Sequence, residues 1–219
     1  MVLTFTANAR RLGIASALLT VLLMAMYMVT LAAGLFSLAS PDQPIGDPYF
    51  TVLEVLILLM MPLMIGLMAA VHARAPDETQ IFSLIALIFM VLVAGLTCSV
   101  HFVILTVSRQ AAFVGLSWTP LFFSFRWPSV VYALDILAWD VFFAFSVLFA
   151  APIFRGDRLA TGIRMLLVAS GLLSFAGLLG VITGDMGLRN IGIIGYTVVF
   201  PVAALLLAIL FRRERPREA

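Results

Sequence analysis

The chain has 219 residues, 63% of them hydrophobic and only 11% charged, with a formal net charge of +2. Soluble domains carry about a quarter charged residues, so this composition excludes an ordinary water-soluble enzyme or nucleic-acid-binding module and points to an integral membrane protein. All thirteen basic residues are arginine, which excludes lysine Schiff-base chemistry and with it a retinal protein. The single Cys98 lies in an apolar run and reports nothing about redox compartment.

Apolar runs long enough to cross a hydrocarbon core of roughly 30 Å recur along the chain, and the reading is an all-α bundle of six transmembrane helices in a single integral membrane domain. The spans are placed at approximately 12–38, 51–71, 81–108, 129–154, 165–183 and 191–211. The first follows Arg10 and Arg11 and is apolar for about 26 residues. That exceeds the 7–15 residues of a signal-peptide core, so an uncleaved helix is expected. Its Met24, Met26 and Met28 alternate and so point in different directions, which suits packing rather than a metal site.

A Pro-rich turn spans 39–50, and the second helix holds Glu54 near its start and Pro62 in its middle, where a kink is expected. Met60, Met61, Met64 and Met68 around that proline read as adaptable core filler. After a short polar connection containing His72, Arg74 and Pro76, the third helix carries Ala94, Thr97, Cys98, His101, Leu105 and Ser108 at intervals of three and four. Small and hydroxyl residues on one stripe mark close helix approach in a membrane, and His101 sits in that stripe.

The linker 109–127 is too broken by Gly115 and Pro120 to span, yet it holds Phe113, Trp118, Phe122, Phe123, Phe125 and Trp127. It reads as an interfacial aromatic segment between helices three and four, either an anchor in the headgroup region or a lid. The fourth span is the most unusual, because it carries Asp135 and Asp140. A charged Asp at the centre of a spanning helix costs roughly 2.5–3.5 kcal/mol on insertion scales and normally faces a cavity or a partner. Tyr132, Asp135 and Trp139 share one face at i, i+3 and i+7. Asp135 and Asp140 are five residues apart, about 140° around a regular α-helix, so they are expected either to line a wide cavity or to serve different helix contacts. The structural alternative pairs Asp135 with Arg126 or His101 and lets Asp140 bond hydroxyls of a neighbouring helix.

The fifth helix bears Ser170, Ser174, Gly177, Gly180 and Gly184, and the face formed by Gly177, Gly180 and Gly184 is a candidate surface for homo- or hetero-oligomer formation. GDMGLRN at 184–190 reads as a tight turn before the sixth helix, which ends in a charged tail. With both termini on one side, ten arginines lie on that side against three on the other, so both termini are expected in the cytoplasm and the protein in a bacterial inner membrane.

Glu54, His101 and Asp135 then lie at similar depth, roughly 6–11 Å below the outer surface, with Asp140 deeper. The expected site is an outward-facing pocket that binds or transports a small ligand, a cation or a proton, built from Glu54, His101, Asp135, Asp140, Tyr132, Trp139 and Arg126. Two other classes compete: a scaffold or sensor subunit whose buried charges fix helix register, and a metal-dependent enzyme with His101, Asp135 and Glu54 as ligands. Catalysis is disfavoured, since no nucleophile elbow, HExxH or phosphate loop is present and no motif specifies a cofactor. The partners expected are the lipid bilayer and a small ligand, with no nucleic acid.

Overall fold

The computed structural model describes residues 5–40, 43–113 and 115–214. Six helices long and apolar enough to cross a membrane make up the protein: α1 Ala7–Phe36, α2 Tyr49–Arg74, α3 Asp77–Thr106, α4 Val130–Ile153, α5 Arg158–Thr183 and α6 Met186–Arg213. No strand occurs among the described residues. The chain is a multi-pass membrane protein with an all-α fold, as its composition requires. Arg215 and Arg217, counted above toward orientation, lie outside the described residues.

Each helix packs on the next in sequence and α1 returns to α6, so the six close into a ring. The loops after α1, α3 and α5 share one end of the bundle, here called distal, and the termini share the other. α4 is the most buried of the six and α1 the least. The core below the distal third is apolar and filled by Met60, Met64, Met68, Met90, Phe143 and Phe200. Of the three alternating methionines in α1, Met24 is buried and Met26 is 46% exposed, as their different directions demand.

Local chemistry sets the helix ends. Thr6 accepts from the Ala9 amide, Ser129 from the Tyr132 amide and Asp157 from the Ala160 amide, so α1, α4 and α5 each begin on a side-chain cap. The Asp157 cap starts α5 seven residues before the sequence boundary at 165. Arg158 and Arg164 lie on exposed positions of the helix itself, not in a loop. Between helices, the Ser146 hydroxyl donates to Ala86 O at 2.8 Å and the Ser170 hydroxyl to Gly195 O at 2.8 Å, tying α4 to α3 and α5 to α6. At the terminal end, Arg10 donates to the carbonyls of Phe211 and Arg212, both at 2.8 Å. A cation thus meets the last, unpaired carbonyls of α6 and closes the ring.

At the distal end, Asp47 Oδ1 accepts from the Thr51 hydroxyl at 2.5 Å and the Thr51 amide at 3.1 Å, and Asp47 Oδ2 lies 3.2 Å from Arg109. The Thr51 hydroxyl bond, aided by Arg109, holds the Asp47 carboxyl below the usual carboxylate range. A depressed value means that this latch is fully present above the ordinary Asp value and is lost as pH falls through the lowered one. The protection factor of the Thr51 amide, its exchange measured against the intrinsic rate at each pH, is therefore expected to fall on acidification in the wild type. In Asp47→Asn protection is expected to be lower and to show no such fall, and a wild-type protection factor that does not change with pH would contradict the latch.

Candidate functional site

Two of the six helices are not regular throughout. α4 contains a π-helical stretch, Leu137–Phe142, in which the Phe143 amide donates to Ala138 O, and α6 contains another, Gly195–Val199. Bonding from i to i+5 widens the turn, so residues five apart come to lie nearly one above the other. Asp140 lies inside this stretch and Asp135 two residues before it, so the pair straddles its start. The regular-helix geometry that set them 140° apart does not hold here, and both carboxylates reach the same cation.

That cation is Arg189. Its Nη2 lies 2.7 Å from Asp135 Oδ2 and its Nε 3.2 Å from Asp140 Oδ2, while its guanidinium carbon stands 4.5 Å from the centre of the Tyr132 ring. Planar fork geometry lets one arginine serve two carboxylates and a ring at once. Arg189 closes the 3-10 turn Met186–Arg189 that opens α6, a turn capped by Asp185. Although it sits at a helix end, it is only 4% exposed. Asp140 therefore pairs with an arginine, not with hydroxyls of a neighbouring helix.

His101 forms the second half of the cluster. Its Nδ1 donates to Glu54 Oε2 at 2.8 Å, and its Nε2 faces Asp135 Oδ1 at 3.6 Å, beyond hydrogen-bond length. Phe125, from the aromatic segment after α3, stacks on the imidazole with ring centres 5.2 Å apart and meets Tyr132 edge-on at 6.4 Å. The rest of that segment splits away from the site: Phe113, Trp118, Phe122 and Phe123 pack on one another.

The two halves border a cavity of about 280 Å³. Glu54, His101, Tyr132, Asp135 and Trp139, all singled out in the sequence, line it, and so does Arg189, which was not. Asp140 does not line it; it is fully buried behind Arg189. Arg126 is exposed on the segment above and is not part of the lining. Below the cavity, Trp139, Tyr196, Phe143 and Phe200 form an aromatic layer with neighbouring ring centres 4.9–6.0 Å apart.

Charge counting defines what the site lacks. Glu54, Asp135 and Asp140 are three carboxylates, and His101 and Arg189 are two bases, so with every group charged the cluster carries a net −1. A neutral His101 makes it −2. Two buried polar atoms have no hydrogen-bond partner within the cluster, His101 Nε2 and Asp140 Oδ1. The first borders the cavity. No three His, Cys, Asp or Glu side chains among the described residues converge as metal ligands, because His101 is held between two carboxylates on opposite ring nitrogens.

Of the three glycines named for an oligomer contact, Gly177 and Gly180 pack against α6 of the same chain. A Cβ on Gly177 would meet Asp140 Oδ1 and come within 3.0 Å of Gly192 Cα, and one on Gly180 would come within 3.1 Å of the Arg189 amide. Gly177 and Gly180 therefore seat α6 and its arginine against α5, and Gly184 is an exposed left-handed turn residue at φ 76°. The signal that identifies Arg189 was present in the sequence as a charge deficit: three intramembrane acids on one side and few cations able to reach them. A helix-end arginine is usually solvated, which hid it.

Comparison with protein-family models, with curated proteins and with solved structures finds no match, so the chemistry of this cluster is what speaks for function.

Proposed function

We propose that this is a bacterial inner-membrane protein with cytoplasmic termini and that its distal pocket binds a small cation, as the binding site of a transporter or ligand-responsive membrane protein. The observation that carries the reading is the buried cluster of three acids and two bases around a cavity, one more acid than base. An isolated buried charge is costly, and a bound cation or a proton supplies what is missing. The cavity walls also favour an organic cation over a bare metal ion. Tyr27, Phe125, Tyr132, Trp139 and Tyr196 line the same cavity as the acids, and ammonium groups are attracted to aromatic rings.

The aromatic layer beneath the pocket supports binding from one side, with transport requiring that layer to part. The scaffold reading draws support from the same cluster, since Arg189 ties α4 to α6 whether or not a ligand is bound.

Melting curves of the purified protein test the proposal. Propylammonium or tetramethylammonium at about 100 times its Kd is expected to stabilise by about 2.7 kcal/mol, and propanol and propionate to do nothing. Glu54→Gln is expected to abolish the response. Equal effects of cation, neutral analogue and anion, or none from any, would remove the pocket from consideration and leave the scaffold.

Orientation has its own check. Reporter fusions within 110–128 are expected to be active only on the outer side and fusions within 155–164 only on the cytoplasmic side. The reverse pattern would invert the pocket.

A further inference from the structure

The helix ring is uneven. α1 lies against Phe200–Arg213 of α6, but the distal part of α6, Met186–Val199, has no comparable packing on α1. The reason is in the sequence. Gly192 and Gly195 draw distal α6 onto α5, where a Cβ on Gly195 would fall 2.7 Å from Ser170 O. At the other edge, Gly34 draws distal α1 toward the start of α2, where a Cβ would fall 2.8 Å from Ile45 Cγ2 and 3.3 Å from Tyr49 Cβ. The two helices are pulled apart above the terminal half of the bundle, and the cavity occupies the seam.

Burial follows that division. Glu54, His101, Asp135 and Trp139, on the inner wall, are each buried, whereas Tyr27 and Leu31 on α1 and Ile193 and Thr197 on α6 line the same cavity and are half-buried. The distal mouth is covered by Phe125, stacked on His101 and set against Tyr132. A seam between two spanning helices lies on the flank of the bundle that a bilayer would surround, and a route through it to the acids would leave Phe125 in place. At about 280 Å³ the cavity lies just below the 300–1,000 Å³ of drug-sized pockets, room for a head group and a few carbons but not for a long chain.

We infer, building on the pocket reading above, that the ligand is a membrane-dissolved amphiphile with a cationic amine head, which enters between the distal halves of α1 and α6 and leaves its tail in lipid. The head meets Glu54 and Asp135 beside His101, and the aliphatic portion passes between Leu31 and Ile193. Among the polar groups lining the cavity, the carboxylate oxygens of Glu54 and Asp135 accept hydrogen bonds and a protonated amine donates them, while the guanidinium of Arg189 is turned to Asp135 and Asp140.

The test uses the full chain in nanodiscs and four probes: propylamine, dodecylamine, dodecanol and dodecylamine with a diazirine a few carbons from its amine. Dodecylamine is expected to bind at least tenfold more tightly than propylamine, dodecanol not to compete, and photolabelling to fall on α1 around 27–31 and α6 around 193–197. Propylamine binding as tightly as dodecylamine, or label confined to the distal segment 110–128, would overturn lateral access while leaving the pocket intact. Dodecanol competing equally would overturn the cationic head. If neither amine stabilises the protein, the pocket reading falls, and the amphiphile with it.

Discussion

Arg189→Met is expected to cost about 3–5 kcal/mol of stability, the range for removing one partner from a buried ion pair, and to be the most damaging single substitution in the protein. The wild-type arginine compensates two carboxylates at 2.7 and 3.2 Å, both deeply buried. Methionine fills a similar volume and leaves both charges with only His101 nearby. The loss therefore comes chiefly from uncompensated charge, not from a cavity, and this has a checkable consequence. Adding Asp135→Asn and Asp140→Asn to Arg189→Met is expected to restore most of the stability, since the acids that needed the cation are gone. Arg189→Lys is expected to fall between, because a point charge cannot serve Asp135 and Asp140 as a fork does. Melting curves of the four proteins in one detergent decide it. A single mutant that melts with the wild type, or a triple mutant no better than the single, would mean that the cluster does not hold α4 to α6.

This cluster also marks where the sequence is readable and where it is not. Glu54, His101 and Asp135 stand out because water-loving groups in lipid are expensive, and that cost is visible in one dimension. Helix count is visible for the same reason. The partnership of Asp135 with Asp140 is hidden, because a π-helical insertion changes the period of the helix without leaving a distinct residue pattern. Arg189 is hidden by its position: at a helix end the physics of a snorkelling arginine and of a buried one ask for the same residue, and only the count of acids elsewhere separates them. The small-residue stripe of α5 was legible as a contact but not as to its partner. Gly177 packs as readily on α6 of its own chain as on another copy, and the choice is made by Gly192, fifteen positions on, whose backbone meets it. The start of α5 was misplaced for a related reason. Arg158 and Arg164 resemble loop residues by charge, yet they project from the helix rim, where long side chains keep their heads in water.

Gly192→Ala is the second large effect expected, and it tests the close approach on which the cluster depends. An added Cβ there would run into Asp140 Oδ1 and lie 3.1 Å from Gly177 Cα and 3.2 Å from Ser174 O. Two of these three neighbours are backbone atoms of α5, which cannot swing away, and the third is a carboxylate pinned by Arg189. Overpacking of this kind costs about 1–3 kcal/mol. Relief requires either that α6 back off from α5 or that Asp140 leave Arg189, and both loosen the hold on Asp135. A control separates this from the ordinary effect of alanine in a helix. At Gly95, an exposed position of α3, an added Cβ meets nothing within 4 Å. Gly95→Ala is therefore expected to stabilise by about 0.5–1 kcal/mol through helix propensity alone. The two substitutions are chemically identical and opposite in expected sign, so the comparison depends only on what surrounds the added methyl. If Gly192→Ala melts at or above the wild-type temperature, α5 and α6 are farther apart than described and Asp140 is free to move. If it melts well below while Gly95→Ala melts above, the backbone contact between Gly177 and Gly192 is what keeps Asp140 within reach of Arg189.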